Sequence, residues 1–511
     1  MGYNGGWQPT PPLRIHSRTD LLLSQDKHEI PAAGLLESAL RASMEQREQP
    51  GGVGELLRAL CSEALAGTVS FDRNTLRTIE NLIGDIDRRV SKQLAVIMHH
   101  PQFQALERRW RGLNYLVFRA ETGPTLRVRV LHCDMPELQA DLGGGVAGDA
   151  CCLQRKLAAE FDHVGGEPLG VLVGDYLLAN TPTDIALLGR IAQLAAAMAC
   201  PFISAVAPEF FGCSDWDNFA ELNALPQHLR SDPFADWRAF RARPESRFVF
   251  LTLPEVLVRL PFGSLRTMTK IEEFNFQEFD ERSGTPRFNS AELCWMNSAD
   301  LFATRLAESF AATGWCTDIR GAEGGGRVDG LPLFMYRSDE GDMTIQCPTR
   351  FAVNERREME LSSAGFIPLV FYRGTDAAVF FQACTAHHPP ADSDPEAGRN
   401  DQIAAQVPWV MVASRFALGV ILVSKQIARR AFTVGEFDAQ LNRWLARYTD
   451  AEVPRAGNPL VFGAARLVRD SEHAERWAVR LSLQPHLSDA KMTEPRAIVV
   501  PLPWPLNPSC Q

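Results

Sequence analysis

"IDRRVSKQLAVIMHHPQFQALERRWRGLNYLV", residues 86–117, is the stretch on which the reading of this chain turns. Leading into it and through its first third, apolar residues recur at 76, 79, 83, 86, 90, 94 and 97. Those steps of three and four predict one long amphipathic helix starting near residue 71. Pro101 breaks it, and helical spacing resumes through Phe103, Leu106, Trp110, Leu113 and Val117, so two consecutive helices feed one interface. The other face of the first helix carries Glu80, Asp85, Asp87, Arg88, Arg89 and Lys92, a solvated and salt-bridged surface or one that meets a partner.

The same stretch offers two histidines and a glutamate, the raw material of a metal or acid–base site. Neighbouring residues on a helix diverge by about 100°, so His99 and His100 cannot form an i, i+4 metal pair. No HExxH is present, and Pro101 separates Glu107 from both imidazoles. The histidines suit a helix C-terminus, where an imidazole can bond the last free carbonyls. Elsewhere, His387-His388 near Cys384 reads as a surface cluster. "LGGGVAGD" and "EGGGRVDG" lack the Gly-Lys-Ser/Thr of a phosphate loop, and no GxSxG elbow occurs. No nucleophile, base, cofactor loop or metal set is anchored, so neither catalysis nor a cofactor is expected.

Composition narrows the classes further. At 511 residues the chain is too long for one ordinary core. Apolar residues make up 45% and charged residues 22%, the range of a folded globular protein. The net charge of −10 gives no support to nucleic-acid binding or adhesion to anionic lipid. Eleven cysteines without a CxxC point to reduced thiols, and the N-terminus lacks the basic start and apolar run of a secretory signal, so a cytoplasmic location is expected. "VPWVMVASRFALGVILV", 407–423, carries Arg415 in its middle and reads as a buried helix rather than a membrane insertion.

Around these landmarks the pattern is mixed α/β. "TLRVRVLHC", "GEPLGVLVGDY", "FISAVAP" and "RFVFLTLP" read as strands, "ALLGRIAQLAAAMACP" and "DLFATRLAESFAATGWC" as helices, and "IPLVFYRGTDAAVFFQA" as two strands joined at Arg373-Gly374. Before residue 50, "GLLESALRASMEQ" places Leu35, Leu36, Ala39 and Leu40 on one face of a short isolated helix, either a cap on the body or a tethered peptide for a partner's groove. After residue 490, "RAIVVPLP" is a strand-like run bracketed by prolines that suits an edge or an arm pairing with another sheet.

The quoted stretch resembles the large subunit of the type VI secretion contractile sheath (the TssC, VipB or ImpC family). So, in the family's order, do "GVLVGDY", "AMACPFISAVAPEFFG", "LCWMNSADLF", "ERREMELSSAGFIPLVF" and "VPWVMVASRF", over about residues 71–425. The resemblance implies a mixed α/β sheath protomer with a helical N-terminal segment and extended terminal arms that pair with neighbouring subunits. It implies a flexible arm over 1–50 and a helical segment over 51–120 that contacts the small sheath subunit. An α/β body over 121–384, a polar loop over 385–402, helices and a strand over 403–490 and a Pro-rich arm over 491–511 follow. Expected partners are the small sheath subunit, other copies of the heterodimer, the inner tube protein, the baseplate and an AAA+ recycling unfoldase.

On that reading Leu35, Leu36, Ala39 and Leu40 are the unfoldase-recognition helix. Ile79, Ile83, Ile86, Val90, Leu94 and Trp110 form the small-subunit interface, where the indole fills the interface and Gly112 allows close approach. Ile498, Val499, Val500 and Leu502 are the inter-subunit strand. Where family members commonly continue "SRFAHYLK", this chain has "SRFALGVILV", which leaves room for a non-polymerising paralog acting as a cap or adaptor, while a cytosolic metal-dependent enzyme is the reading from another class.

Overall fold

The computed structural model describes Ser62 and residues 75–143, 151–162, 166–263, 274–279, 290–337, 342–390, 394–429, 432–450, 458–469, 476–488 and 490–502. The chain has two compact units, Met1–Ile86 and Asp87–Gln511. In the first, the described residues are Ser62 and the opening turns of α1 (Thr75–Met98), whose later turns belong to the second. The short helix expected at Leu35–Leu40 lies outside the described residues.

The second unit continues with α2 (Pro101–Arg119), α3 (Met135–Gly143) and α4 (Cys152–Asp162), then enters a parallel sheet through β1 (Leu172–Leu178), α5 (Pro182–Met198), β2 (Phe202–Val206) and β3 (Val249–Leu253). The α5 helix begins where Thr181 accepts a hydrogen bond from the Asp184 N–H and Pro182 occupies the first turn, a position with no amide hydrogen to waste. Both β2 and β3 are buried at every position, the continuous apolar signature of parallel strands covered on both faces.

A short pair follows, β4 (Val256–Leu257) and β5 (Trp295–Met296), then α6 (Ser298–Thr313), β6 (Arg327–Val328), the hairpin β7 (Met335–Arg337) and β8 (Met343–Ile345), α7 (Glu355–Ser363), β9 (Ile367–Phe371) and β10 (Ala378–Phe380). The main sheet has the order β1-β2-β3-β9-β10-β6, parallel from β1 to β9 and antiparallel beyond. Gly374, with φ of 80°, makes the β9–β10 turn at the predicted place.

Two apolar layers close the sheet. One is aromatic: Phe210, Phe211, Trp237 and Phe366 meet edge-on, tilted or stacked, with ring centroids between 5.1 and 5.7 Å. The other combines α6 with α9 (Val407–Ile427), whose Val410, Ala413, Ala417, Val420 and Ile421 are buried in the core. That helix is the apolar run at 407–423, and it is a core element. Behind it α10 (Val434–Leu445) supports an antiparallel sheet of β11 (Leu460–Arg469), β12 (Trp477–Pro485) and β13 (Arg496–Pro501).

Two expectations change and one open alternative is decided. "TLRVRVLHC" forms no strand: among the described residues 126–134 have no strand partner, and alternation alone supplies no ladder. Arg127 and Arg129 instead pair with Glu167 and Glu160. The 385–402 segment is not a surface loop, because Thr385 and His387 are buried and Pro395–Ala404 is a helix, α8, capped by Asp394. His387 bonds Ser246 Oγ and the Arg241 carbonyl, each at 3.1 Å, and burial drops its pKa to about 4. Finally, of the two placements open to "RAIVVPLP", residues 496–501 take the edge and not the arm: β13 is an outer strand of its sheet and pairs with β12 in the register Leu481↔Ile498.

Candidate subunit interface

Of the predicted stripe on α2, four residues lie on the outside of the helix and Leu113 is half-buried; Phe118, beyond the stripe, is exposed as well. Phe103, Leu106, Trp110, Val117 and Phe118 are exposed at 39%, 53%, 65%, 39% and 81%. The face turned inward is polar in its first half and joins the core in its second, through Leu116 and half-buried Tyr115. Gln104 donates to the carbonyls of Ala291 and Glu292 at 3.3 and 3.1 Å, Arg108 reaches Glu255 at 3.4 Å, and Leu116 is buried. The amphipathic period therefore marks an apolar stripe most of which stays outside this chain's own core. On α1, Val96 and Ile97 are exposed in the second unit, as are Ile79, Ile83 and Ile86 in the first.

Gly112 sits where α2 presses hardest on the body. A Cβ there would fall on Oδ2 of Asp300, which lies in the first turn of α6. Burial, with a smaller push from the Asp175 charge, lifts the Asp300 pKa to about 8. The close approach read from "WRG" is therefore present, and its counterpart is a buried carboxyl that no periodicity announces.

Between α1 and α2 the two histidines divide their roles. His100 is the N-cap of α2, its Nδ1 accepting from the Gln102 N–H at 3.3 Å, while Pro101 takes the first helical position. His99 does not bond the last carbonyls of α1 through its ring. Its Nε2 lies 3.2 Å from Glu278 Oε1 and its ring stacks on Phe279 with centroids 5.3 Å apart.

Glu278 also accepts two bonds from Arg259, at 2.8 and 3.1 Å, and one from the Phe262 N–H at 2.8 Å. The same guanidinium donates to Glu107 at 2.6 and 3.1 Å, and Arg111 adds a bond to Glu107 at 2.7 Å. Burial pushes both carboxyls up, but the bonds and charges of His99 and Arg259 at Glu278, and of Arg259 and Arg111 at Glu107, outweigh it and leave both below their ordinary value. Glu107 is therefore an ion-pair partner, and among the described residues no three His, Cys, Asp or Glu side chains converge on a metal site.

Of the residues expected at the interface, Ile79, Ile83, Ile86 and Trp110 are exposed, while Val90 and Leu94 are half-buried. Of the C-terminal set, Ile498, Val500 and Leu502 are core residues and only Val499 faces out, 56% exposed. Arg259 and Glu278 were missed: they stand outside any periodic run, and only the fold brings them under the histidine pair.

An α/β protomer with an exposed apolar stripe on its second helix has the surface expected of a building block in an assembly. The chain belongs to the VipB family (EvpB/VC_A0108, tail sheath N-terminal domain), whose model matches residues 80–387. It is 34% identical over 480 residues to the type VI secretion system sheath protein TssC1 of Pseudomonas aeruginosa, covering 92% of this chain and 95% of that one. It is accordingly a structural large subunit of a type VI secretion contractile sheath. Among solved structures, the sheath tail protein Lin1278 of Listeria innocua matches with a TM-score of 0.30 at 10% identity, covering 68% of this chain and 60% of that one. The helical sheath of the anti-feeding prophage in its contracted state gives 0.29 at 10%, over 70% and 72%.

Proposed function

We propose that this chain co-assembles with a small sheath subunit into a tube around an inner tube protein, and that contraction of the tube, seated on a baseplate, drives the inner tube outward. The observation that carries the reading is the outward apolar stripe of α2, which needs a partner to remove it from water. The small subunit covers that stripe together with Ile79, Ile83, Ile86, Val90 and Leu94 of α1. Other copies of the heterodimer dock at the outer edge of β13, where Val499 is the exposed contact and strand addition supplies backbone hydrogen bonds that tolerate subunit rotation. An AAA+ unfoldase recognises Leu35, Leu36, Ala39 and Leu40 when the contracted sheath is recycled.

The work is mechanical and cytoplasmic, with no catalysis and no cofactor in this chain. Its energy is the difference between two assembled states. Electron microscopy of the chain co-expressed with the small sheath subunit of its own gene cluster tests this. Long hollow tubules that need the partner are the expected result. Soluble heterodimers without tubules would replace it with a cap or adaptor, and stoichiometric metal in the purified chain would reopen catalysis.

A further inference from the structure

We infer that the network centred on Arg259 is a lock that holds the later turns of α1 at a fixed angle to α2, making Arg259 a positioning residue for assembly. The inference rests on reading α2 as the docking face. The two helices are joined only through His99 and His100 at a proline break, a connection that by itself leaves their angle free.

What restores a single geometry is the segment 274–279. Towards α1, the Gln277 N–H donates to Ser91 Oγ at 3.1 Å, Glu278 meets His99, and Phe279 stacks on the same imidazole. Towards α2, the link runs from Glu278 through Arg259 to Glu107. Glu278 is thus shared by both helices, with its side chain 1% exposed beside Arg259 at 9% and Glu107 at 11%.

Such a network does little net stabilising. Removing charges from water costs roughly what their pairing returns, so apolar packing would hold the helices as firmly. It differs from apolar packing in direction: a guanidinium fork bonded to two carboxylates accepts one arrangement, whereas greasy side chains slide. The turns from Asp87 to Met98 span about 18 Å at 1.5 Å per residue, so a swing of roughly 15° moves their far end by about 5 Å. Val90 on α1, about 13 Å from the joint, would move by about 3.5 Å and no longer meet the same partner surface as Phe103, Leu106 and Trp110 on α2.

The test uses the full chain with Arg259→Met, which keeps the stem and deletes the fork, and Arg259→Lys, which keeps the charge but not the geometry. Amide exchange is read at His99, His100 and Gln104, whose N–H groups bond the carbonyls of Ala95, Ile97 and His100. Both variants are expected to exchange about tenfold faster there while β2 and β3 stay protected, and to bind the small sheath subunit about tenfold more weakly. A merely structural charge would be rescued by lysine. Unchanged exchange at the joint, equal acceleration everywhere, rescue by lysine, or a loosened joint with undiminished binding would each overturn the lock. Trp110→Ala separates the two readings: it is expected to lose binding with joint exchange unaltered. If it binds normally, the docking face is wrong while the exchange result still judges whether Arg259 fixes the joint.

Discussion

Replacing Trp110 with alanine removes the largest apolar side chain of the α2 stripe without touching the body. The indole is 65% exposed, which, for a side chain that offers about 250 Å², leaves about 160 Å² for a partner to cover. At ~25 cal/mol per Å² that area is worth about 4 kcal/mol, and the alanine methyl retains part of it. The expected loss in affinity for the small sheath subunit is therefore about 3 kcal/mol, or roughly 100-fold in Kd. Thermal unfolding of the isolated chain should shift by no more than about 0.5 kcal/mol, the range of a surface substitution. Titration calorimetry beside a melting curve reads both quantities. A change in Kd below about threefold, or an equal loss of stability in the isolated chain, would refute the assignment of this face to a partner.

Four further outcomes follow from the same geometry. Asp300 has its folded pKa raised from an ordinary 3.8 to about 8, so the folded state holds a proton that the unfolded chain has released. Its stabilising effect is full below pH 3.8 and is lost as the pH climbs to about 8; Asp300→Asn should flatten that slope in denaturant titrations run across this window. Gly112→Ala should destabilise the chain by about 1–3 kcal/mol, and adding Asp300→Ala should recover most of it, because the new methyl collides with that carboxyl group. Val499→Asp should leave the melting temperature within about 2 °C of wild type yet shorten or abolish tubules in micrographs. Leu36→Asp with Leu40→Asp should preserve tubules and abolish pull-down of the unfoldase.

The elements that were legible in the sequence are those whose pattern is local. Periodicity gave α1 and α2 with their break at Pro101, and unbroken apolar runs gave β2, β3 and α9. The direction of a stripe is a different matter: "FQALERRWRGLNYLV" has the same spacing whether it faces a core or a partner, and only the exposure of Leu106 and Trp110 separates the two. Local pattern also misled where pairing decides. "RVRVL" alternates yet finds no neighbouring strand among the described residues, and "DPEAGRND" looks like a loop although Asp394 and Pro395 start a helix there. The Asp300–Gly112 and Arg259–Glu107 contacts were invisible because each joins residues whose types are individually unremarkable and whose proximity only the fold creates.

The distance along the chain from His99 to its carboxylate partner is 179 residues. At a synthesis rate of roughly 5–20 residues per second, α1 and α2 leave the ribosome about 10–40 s before Glu278 exists to receive them. During that interval neither the inward nor the outward side of α2 has a surface to rest on. The part of the molecule translated early is thus completed late, and a newly made partner subunit that arrives within the interval meets two helices whose mutual angle is still open.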